Sequence, residues 1–237
     1  MVRAVVFDFG QTLVDSAQGF RTAEKQLQAR LLAELPSVSP ETFLASYRRQ
    51  RTAFQQRSDF SRRALCRAVL GHFGGPVDDA AVQLWETEYW ETVRIRTREF
   101  PEARDVLKRL KLSFRLGLVT NTQGQAAPGT HRLGDFPALI QLLDAVVVAG
   151  EAGVPEKPDP HPFQLCLERL DCRPRRALFV GDDPRIDLCG ARDAGLQAVW
   201  LQHRQTRRNW PSVAVDCPII DSLEELWRLP FIQETEP

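Results

Sequence analysis

The residues of this chain that could do chemistry lie at the ends of short apolar runs that are far apart in sequence. They are carboxylates, hydroxyls, an amide and one lysine, namely Asp8, Thr12, Thr120, Asn121, Lys157, Asp182, Asp183 and Asp187. Carboxylates that face one another repel unless a proton or a cation lies between them. Oxygen ligands of this kind suit Mg²⁺, which uses one or two carboxylates together with a substrate phosphate. These residue types therefore suit a metal-dependent reaction at phosphorus, but their positions alone do not distinguish it from ordinary polarity at strand ends.

Each of these groups would have a definite part in such a reaction. An aspartate beside the metal can attack phosphorus and form an aspartyl-phosphate. A hydroxyl and an ammonium group would bind the equatorial phosphate oxygens, over which the transition-state charge spreads. Each residue taken alone also fits a plainer interpretation, because polar residues at strand ends commonly cap helices or satisfy backbone groups.

The predicted secondary structure, in which short strands alternate with longer helices, would bring these residues together. Strands are predicted for Val2–Phe9, Arg115–Thr120, Ala145–Val148, Ala177–Val180 and Ala198–Leu201. Helices are predicted for Pro101–Leu110, Pro162–Leu170, Ile186–Ala194 and Ser222–Leu229. Nearly continuous apolar strands that alternate with helices indicate an α/β fold with a doubly wound, Rossmann-like parallel sheet. Ligands of such sheets bind at the carboxyl ends of the strands, where the polar residues lie.

One stretch, residues 16–98, breaks this alternation and shows only helical periodicity. Apolar residues at helical spacing predict four helices, separated by sequences that end or start a helix: Pro36, Ser39-Pro40 and Gly74-Gly75-Pro76. We therefore expect an α/β core formed by residues 1–15 and 99–237, with an all-helical domain formed by residues 16–98 inserted after the first strand.

The composition excludes several classes of protein. The chain has 237 residues, and its 31 Lys and Arg residues balance 31 Asp and Glu residues. It therefore lacks the basic field of a typical nucleic-acid-binding protein, and no apolar run is long enough to span a bilayer. Five cysteines without a CxxC pair favour free thiols in a reducing compartment. With no segment that resembles a signal peptide, we expect a cytoplasmic protein without nucleic-acid or membrane partners, and the sequence leaves the oligomeric state open.

Four segments of the chain resemble, in order and spacing, the four motifs of the haloacid dehalogenase superfamily. They are VVFDFGQTLVDS, LVTN, VPEKPDPHPF and ALFVGDDPRIDLCGARDAGLQAVW. The helical insert directly after the first motif is similar to the C1-type cap of the phosphatases in this superfamily. The resemblance implies a phosphoric monoester hydrolase that uses Mg²⁺ and acts on a small phosphorylated metabolite.

The resemblance also implies roles for the residues that would meet the substrate. Asp8 is expected to be the nucleophile, and Thr120 is expected to bind the phosphoryl group. Lys157 would neutralise the charge of the nucleophile and the phosphate. Asn121 and Thr12 are expected to help bind and position the phosphate.

A metal site is implied by the same resemblance. Asp8 and Asp182 are expected to bind Mg²⁺ directly, and the backbone carbonyl of Gly10 would supply a further ligand. Asp183 and Asp187 would be additional or water-mediated partners of the metal, with Asp187 favoured by its spacing. Gly10 also lies close enough to the expected nucleophile to contact substrate.

The chain departs from the family pattern at Gly10, where the phosphatases carry a second aspartate two residues after the nucleophile. That aspartate protonates the leaving group and then activates water, a contribution of about 10²–10⁴-fold in rate. Gln11 replaces the usual glycine and cannot transfer a proton well. His131 and His161 could replace the acid–base group, although surface positions are expected for both. The sequence therefore predicts a slow phosphatase, or one selective for phosphates with good leaving groups.

Two other functions stay open. A catalytically weak protein that binds a phosphorylated ligand or a partner protein is compatible with Gly10. A 2-haloacid dehalogenase also lacks aspartate at this position, but dehalogenases of the superfamily use no metal and carry a Ser-Asn type of fourth motif, unlike Gly181-Asp182-Asp183. Gly181 fits a close approach of two backbone segments, and no dinucleotide-binding fingerprint is present in the sequence.

Overall fold

The computed structural model describes residues 1–57, 59–122, 132–203 and 216–233, which form two compact units. The strands of the described residues are β1 (Ala4–Phe7), β2 (Val14–Asp15), β3 (Arg98–Glu99), β4 (Arg115–Asn121), β5 (Ala145–Ala149), β6 (Ala177–Gly181), β7 (Gln197–Leu201) and β8 (Ile219–Ile220). The α-helices are α1 (Ala17–Ala33), α2 (Pro40–Gln56), α3 (Arg62–His72), α4 (Asp79–Ile95), α5 (Ala103–Leu110), α6 (Pro137–Ile140), α7 (His161–Arg169), α8 (Cys189–Asp193) and α9 (Pro230–Gln233).

The first unit is built on a six-stranded sheet in the order β5-β4-β1-β6-β7-β8. Every neighbouring pair of strands in this sheet is parallel. The central strand β1 is completely buried, because helices cover both faces of the sheet. Its side chains alternate: Val5 and Phe7 pack with residues of α5, while Ala4 and Val6 pack with residues of α7 and α8. The predicted doubly wound α/β class is confirmed.

The register of the sheet brings the carboxyl ends of three strands to one level. β1 lies between β4 and β6, with Phe7 opposite Leu118 of β4 and Val180 of β6. The next residue, Asp8, donates its N–H to the carbonyl of Val180 at 2.9 Å. Asp8 and the ends of β4 and β6 therefore lie side by side at one edge of the sheet.

The second unit contains the four helices α1 to α4. The predicted helices are all present, and Ser39 caps α2 as expected, since its hydroxyl accepts the N–H of Thr42 at 3.2 Å. The apolar faces of the helices meet in one buried cluster that includes Leu31, Tyr47 and Val93. The spacing of apolar residues that predicted the helices is thus the spacing that fills this core.

Two short strands mark the points where the chain leaves and rejoins the first unit. β2 and β3 pair antiparallel, with Val14 opposite Glu99 and Asp15 opposite Arg98. The first unit contains Met1–Asp15 and resumes at Arg98, and the helical unit contains Ser16–Thr97. The return point lies one residue before the predicted residue 99, because Arg98 is paired in this two-stranded ribbon.

The C-terminal part of the chain differs from its prediction. The α-helix predicted over Ser222–Leu229 is wrong in type, since a 3₁₀ helix spans Leu223–Arg228. Pro230 favours extended backbone at the residue before it, and Leu229 has φ −80° and ψ 130°. The segment is therefore too short for a stable α-helix and closes as the tighter 3₁₀ form. None of the helices in the described part of the chain combines the length and apolar composition that a membrane span requires.

A pair of glycine substitutions tests the packing of the helical unit. A Cβ added at Gly19 in α1 would lie 2.9 Å from the carbonyl oxygen of Val93 in α4, whereas one added at Gly71 in α3 meets nothing within 4 Å. We expect Gly19→Ala to lower the free energy of unfolding by roughly 1–3 kcal/mol through overpacking. Gly71→Ala should raise it by roughly 0.5–1 kcal/mol, because alanine favours helix. Urea denaturation followed by circular dichroism measures both, and equal stability of the two variants would contradict the close approach of α1 and α4.

Candidate active site

Three buried aspartates converge at the carboxyl edge of the sheet. Asp8 follows β1, Asp182 follows β6, and Asp187 lies in a π-helical turn that spans Pro184–Leu188. One carboxylate oxygen of each aspartate lies within 4.8 Å of the corresponding oxygens of the other two. Such an arrangement requires a positive charge among the carboxylates.

The ammonium group of Lys157 lies between two of these aspartates. Its Nζ donates to Asp8 Oδ1 at 2.8 Å, to Asp187 Oδ1 at 2.6 Å and to the backbone carbonyl of Val119 at 2.9 Å. An ammonium group has three protons, so these acceptors use all of its donors. Lys157 is therefore held in one orientation, and it holds Asp8 and Asp187 in turn.

Charge and burial act in opposite directions on these groups. Burial alone would lower the pKa of Lys157, but Asp187 and Asp8 outweigh burial and hold that pKa above its ordinary value. Burial raises the pKa of Asp187, Lys157 opposes that rise, and the neighbouring Asp8 and Asp183 add to it. The neighbours of Asp187 thus include more negative than positive charge.

The donor set of the cluster fits a divalent cation. With all three aspartates ionised and Lys157 protonated, the four side chains carry a net charge of −2, which one divalent cation balances. Every ligand atom offered is a hard carboxylate oxygen, the type that Mg²⁺ and Ca²⁺ bind. Asp8, Asp182 and Asp187 are therefore the residues that could hold a metal.

Asp187 reaches the cluster because the backbone widens into the π-helical turn. Its Oδ2 accepts the N–H of Asp183 at 3.0 Å, while its Oδ1 accepts from Lys157. A Cβ added at Gly181 would lie 2.6 Å from Asp187 Cβ, so only glycine leaves room for this carboxylate. A close approach is present at Gly181, but its partner is the Asp187 side chain and not the predicted second backbone segment. The helix predicted over Ile186–Ala194 starts with a π-helical turn, a form found often at functional sites.

A tight turn follows Asp8. The carbonyl oxygen of Phe9 accepts the N–H of Leu13 at 2.9 Å and that of Val14 at 3.2 Å. Gln11 within the turn has φ 66°, in the left-handed region that costs a non-glycine residue about 1–2 kcal/mol. The family's usual glycine would adopt this conformation without that cost.

The predicted phosphate-binding residues occupy two neighbouring strand ends. The hydroxyl of Thr12 donates to Asp8 Oδ2 at 3.4 Å, a long contact. Gly10 lies in the buried turn after Asp8, and Thr120 is buried near the end of β4. The structure therefore brings these residues to the same edge of the sheet as the aspartates.

Asn121 is engaged with the backbone of Lys157. Its Nδ2 donates to the Lys157 carbonyl at 3.0 Å, and its Oδ1 accepts the Lys157 N–H at 2.9 Å. Both polar groups of the amide are thereby used on one residue of the loop that follows β5. The structure thus assigns Asn121 a contact with the lysine's main chain, in a position that fixes where the ammonium group lies.

The side chain of Asp183 faces Arg185. One carboxylate oxygen of Asp183 accepts the backbone N–H of Arg185 at 3.0 Å, and the other accepts from its Nη2 at 2.9 Å. Asp183 thus caps the π-helical turn, which agrees with the plainer interpretation of a strand-end aspartate. Among the described residues, the aspartates that form the cluster are Asp8, Asp182 and Asp187.

Sequence reasoning missed two groups that support the site. The indole Nε1–H of Trp200 donates to the backbone carbonyl of Asp182 at 3.0 Å, and the carbonyl of Val119 accepts from Lys157. Trp200 lies in β7 directly opposite Gly181. Its place in a predicted strand was only a weak indication that it would lie next to Asp182. A backbone carbonyl has no signature in the sequence, because every residue carries one.

The histidines occupy separate places. His161 is exposed at the start of α7, as expected, and His131 lies outside the described residues. His203, which sequence reasoning did not consider, is buried and stacks on Phe100 with ring centroids 3.6 Å apart. Its Nε2 lies 3.4 Å from the backbone carbonyl of Thr12. His203 thus packs against the turn that follows Asp8.

Comparison with known protein families identifies this combination of fold and site. The family model for haloacid dehalogenase-like hydrolases matches residues 2–195. The chain belongs to this family. The match confirms the predicted family, and with it the prediction that the chain is a hydrolase.

Curated relatives in the family carry the names of phosphatases. A phosphoglycolate phosphatase from Nitrosospira multiformis is 30% identical over 200 residues, which cover 82% of this chain and 80% of the relative. A phosphoglycolate phosphatase from Escherichia coli is 32% identical, covering 85% of this chain and 82% of the relative. A glyceraldehyde 3-phosphate phosphatase from Methanothermobacter thermautotrophicus is 27% identical over 95% of this chain and 98% of the relative.

Solved structures of family members share the fold. A phosphatase of the family from Thermococcus onnurineus has a TM-score of 0.68 and 23% identity, with 99% of both chains covered. A 2-haloacid dehalogenase from Pseudomonas syringae has a TM-score of 0.61 and 29% identity, covering 96% of this chain and 97% of the other. The haloacid dehalogenase-like fold therefore accommodates the whole chain.

Replacing Lys157 tests the electrostatics of the site. Lys157→Met leaves the buried carboxylates without their ammonium group, so we expect the free energy of unfolding in EDTA to fall by about 3–5 kcal/mol. The control Lys111→Met removes a surface ion pair with Asp144, at 3.1 Å, and should cost about 0–1 kcal/mol. Urea denaturation measures both losses. A loss for Lys157→Met as small as that of the control would contradict the structural importance of the buried lysine.

Proposed function

We propose that this protein is a Mg²⁺-dependent phosphatase that hydrolyses a small phosphorylated metabolite through an aspartyl-phosphate on Asp8. The observation that carries the proposal is the buried cluster in which Asp8, Asp182 and Asp187 lie within 4.8 Å of one another while Lys157 binds two of them. The phosphatase names of the relatives, at 27–32% identity, support the same reaction class.

The nucleophile in this proposal is Asp8. One of its carboxylate oxygens would bond to phosphorus while the bond from phosphorus to the leaving-group oxygen breaks. That oxygen departs with the electron pair and takes up a proton. Water then attacks phosphorus, which releases inorganic phosphate and regenerates the carboxylate. Lys157 at 2.8 Å and Thr12 at 3.4 Å hold the two oxygens of Asp8 and so orient the carboxylate for attack.

The metal ligands would be Asp8, Asp182, Asp187 and the backbone carbonyl of Gly10. When bound, Mg²⁺ would supply positive charge that offsets the repulsion between a phosphate dianion and the carboxylates. The chain's own contribution is to hold these oxygens rigidly: Trp200 binds the backbone of Asp182, and the Asp183 N–H binds Asp187. Rigid ligands favour the metal because little reorganisation is needed on binding.

Lys157 and Thr120 would act on the phosphoryl group, and Asn121 would support them. Lys157 neutralises charge on Asp8 and would stabilise the extra charge of the transition state. Thr120 would donate its hydroxyl to a phosphate oxygen. Asn121 acts by positioning, since its amide holds the backbone of Lys157 through two hydrogen bonds. Asp183 supports the site through its cap on the π-helical turn.

The proposed enzyme lacks the usual acid–base aspartate. Gly10 occupies its position and has no side chain that could carry a proton. Expulsion of an alkoxide without a proton donor is slow, so turnover should depend strongly on the leaving group. The proposal therefore includes slow hydrolysis of ordinary metabolites and faster hydrolysis of acyl or aryl phosphates.

The substrate proposed is a two- or three-carbon phosphate, because the relatives are named for phosphoglycolate and glyceraldehyde 3-phosphate. We further propose that residues 16–98 act as a cap that excludes water and selects the substrate, since this helical unit is inserted shortly after Asp8 in the sequence. A cytoplasmic location without nucleic-acid or membrane partners completes the proposal.

One alternative has a specific observation in its favour. The solved 2-haloacid dehalogenase is 29% identical to this chain, and glycine at position 10 is compatible with dehalogenation. Three buried carboxylates at the site oppose this alternative, because a departing halide is an anion and would be repelled. The second alternative, a weak enzyme that mainly binds a phosphorylated ligand, rests on Gly10 alone.

Phosphate release from defined substrates tests the proposal. The assay uses 2-phosphoglycolate, glyceraldehyde 3-phosphate, acetyl phosphate and p-nitrophenyl phosphate, each with Mg²⁺ and with EDTA. We expect Mg²⁺-dependent release that disappears in Asp8→Asn, which removes the nucleophile and keeps the shape of the side chain. Chloride release from 2-chloropropionate without metal would favour the dehalogenase. A folded protein that binds Mg²⁺ but releases no phosphate from any of the four substrates would overturn the phosphatase.

Restoring the acid–base group should raise turnover. Gly10→Asp supplies a carboxyl group two residues after Asp8, and we expect kcat for 2-phosphoglycolate to increase by about tenfold or more. The matched control Gly10→Asn has the same size but cannot transfer a proton, and it should give no gain. Steady-state kinetics of both variants measure this, and an equal change in the two would show that proton transfer is not the missing step.

A further inference from the structure

The amino edge of the central sheet, opposite the aspartate cluster, carries a row of arginines. Ala4 lies opposite Arg115 in β4 and opposite Ala177 in β6, so Arg3 and Arg176 precede two paired residues. The ladder continues through them: Arg3 N–H donates to the Arg176 carbonyl at 2.7 Å, and Arg115 N–H donates to the Arg3 carbonyl at 3.0 Å. Neighbouring strands lie about 4.8 Å apart, so the Arg3 and Arg176 side chains start side by side, while Arg115 is level with Ala4.

A pocket opens beside this row. Its volume is about 820 Å³, which is in the range of sites for small molecules of drug or cofactor size. Arg3, Arg173 and Arg176 line it, together with Glu168 and Asp171. Leucine and proline side chains form part of the same wall, so the pocket combines charged and apolar surface.

The arginines in the wall of this pocket form no ion pair with the described carboxylates, and three arginines against two carboxylates give the wall a net charge of +1. Arg3 and Arg173 make no side-chain ion pair or hydrogen bond with the described residues, and Arg176 donates its Nε to the backbone carbonyl of Met1, at 3.3 Å. Some exposed arginines elsewhere in the described part of the chain do bind carboxylates, as Arg104 binds Glu99 at 2.7 Å. The two acids of the pocket form no ion pair with its arginines in the described part of the chain. The pocket therefore has a net positive charge.

Cys172 lies in the wall of this pocket, and the charges around its thiol agree with the excess of arginine. Burial raises the pKa of its thiol, and among the neighbouring charges Arg176, Arg3 and Arg115 act to lower it while Asp171 acts to raise it. The cations at this position thus outnumber the acid. A half-buried thiol next to the arginines also provides a chemical probe of the pocket.

We propose that this pocket binds a small polyphosphate-bearing molecule, such as a nucleoside di- or triphosphate, at a site separate from the catalytic aspartates. Guanidinium groups bind phosphate in bidentate geometry, and several of them side by side match a ligand with more than one phosphate. The apolar wall would contact the rest of the molecule, and Glu168 and Asp171 could accept hydrogen bonds from its hydroxyl groups.

Calorimetric titration with ADP and with inorganic tripolyphosphate tests the site. The titrations use EDTA and about 0.15 M NaCl, so that weak surface attraction is screened. We expect saturable binding at one site per chain, weakened about tenfold or more in the double variant Arg3→Gln/Arg176→Gln. The matched control Arg175→Gln lies on the same 3₁₀ helix but outside the pocket wall, and its affinity should stay within about twofold of wild type. Tighter binding of ADP than of tripolyphosphate would assign the apolar wall to the nucleoside.

Alkylation of Cys172 gives a second readout in the same place. Saturating ADP should slow the reaction of Cys172 with N-ethylmaleimide about tenfold, with no change at Cys217, which is also half-buried. Phosphatase turnover of the double variant should equal that of wild type, since neither arginine belongs to the aspartate cluster. Absence of saturable binding, equal weakening in Arg175→Gln, or no protection of Cys172 would each overturn the proposal.

Discussion

The buried ion pairs of Lys157 are the interaction on which the rest of the site depends. A lysine that is almost completely buried is costly to desolvate, and here that cost is offset by two carboxylates and one backbone carbonyl that use all three ammonium protons. The carboxylates, in turn, could not lie this close to one another in a buried place without it. Asp8 and Asp187 belong to segments that are far apart in the chain. By binding both, the lysine connects the segment after the first strand to the π-helical turn.

The geometry of this cluster is set mainly by backbone contacts. Asn121 fixes the main chain of Lys157, Trp200 fixes that of Asp182, and Gly181 leaves the space that Asp187 fills. These groups can affect the rate of the reaction without contacting a substrate, because they hold the residues of the cluster in place. A shift of about 1 Å in a catalytic group can cost about 100-fold in rate, so these supporting residues contribute to activity by limiting such shifts.

Much of the fold and of the site could be predicted from sequence because both depend on strong, local patterns. The apolar run of β1 and the helical spacing of Leu27 and Leu31 predict their elements directly, and the four motif segments locate the aspartates and the lysine. The π-helical turn could not be predicted, since Asp187 at the helical spacing also fits an ordinary α-helix. The roles of Asn121 and Trp200 depend on which residues become neighbours across the sheet, and that information is absent from any single segment. The short strands β2, β3 and β8 could not be predicted either, because two residues are too few to show the alternation of a strand.

The position of β1 in the sheet has a consequence for synthesis of the protein. β1 is synthesised before its partners β4 and β6, which begin only at Arg115 and Ala177. At about 5–20 residues per second, its first partner emerges roughly 5–20 s later. During that interval a fully apolar strand has both hydrogen-bonding edges unpaired, which is the condition that favours association between chains. The four helices of residues 16–97 are contiguous in sequence, so all of them are synthesised in the same interval. A ribosome-bound chain of this protein therefore passes through a stage in which all four helices have been synthesised while the buried strand β1 still lacks its partners.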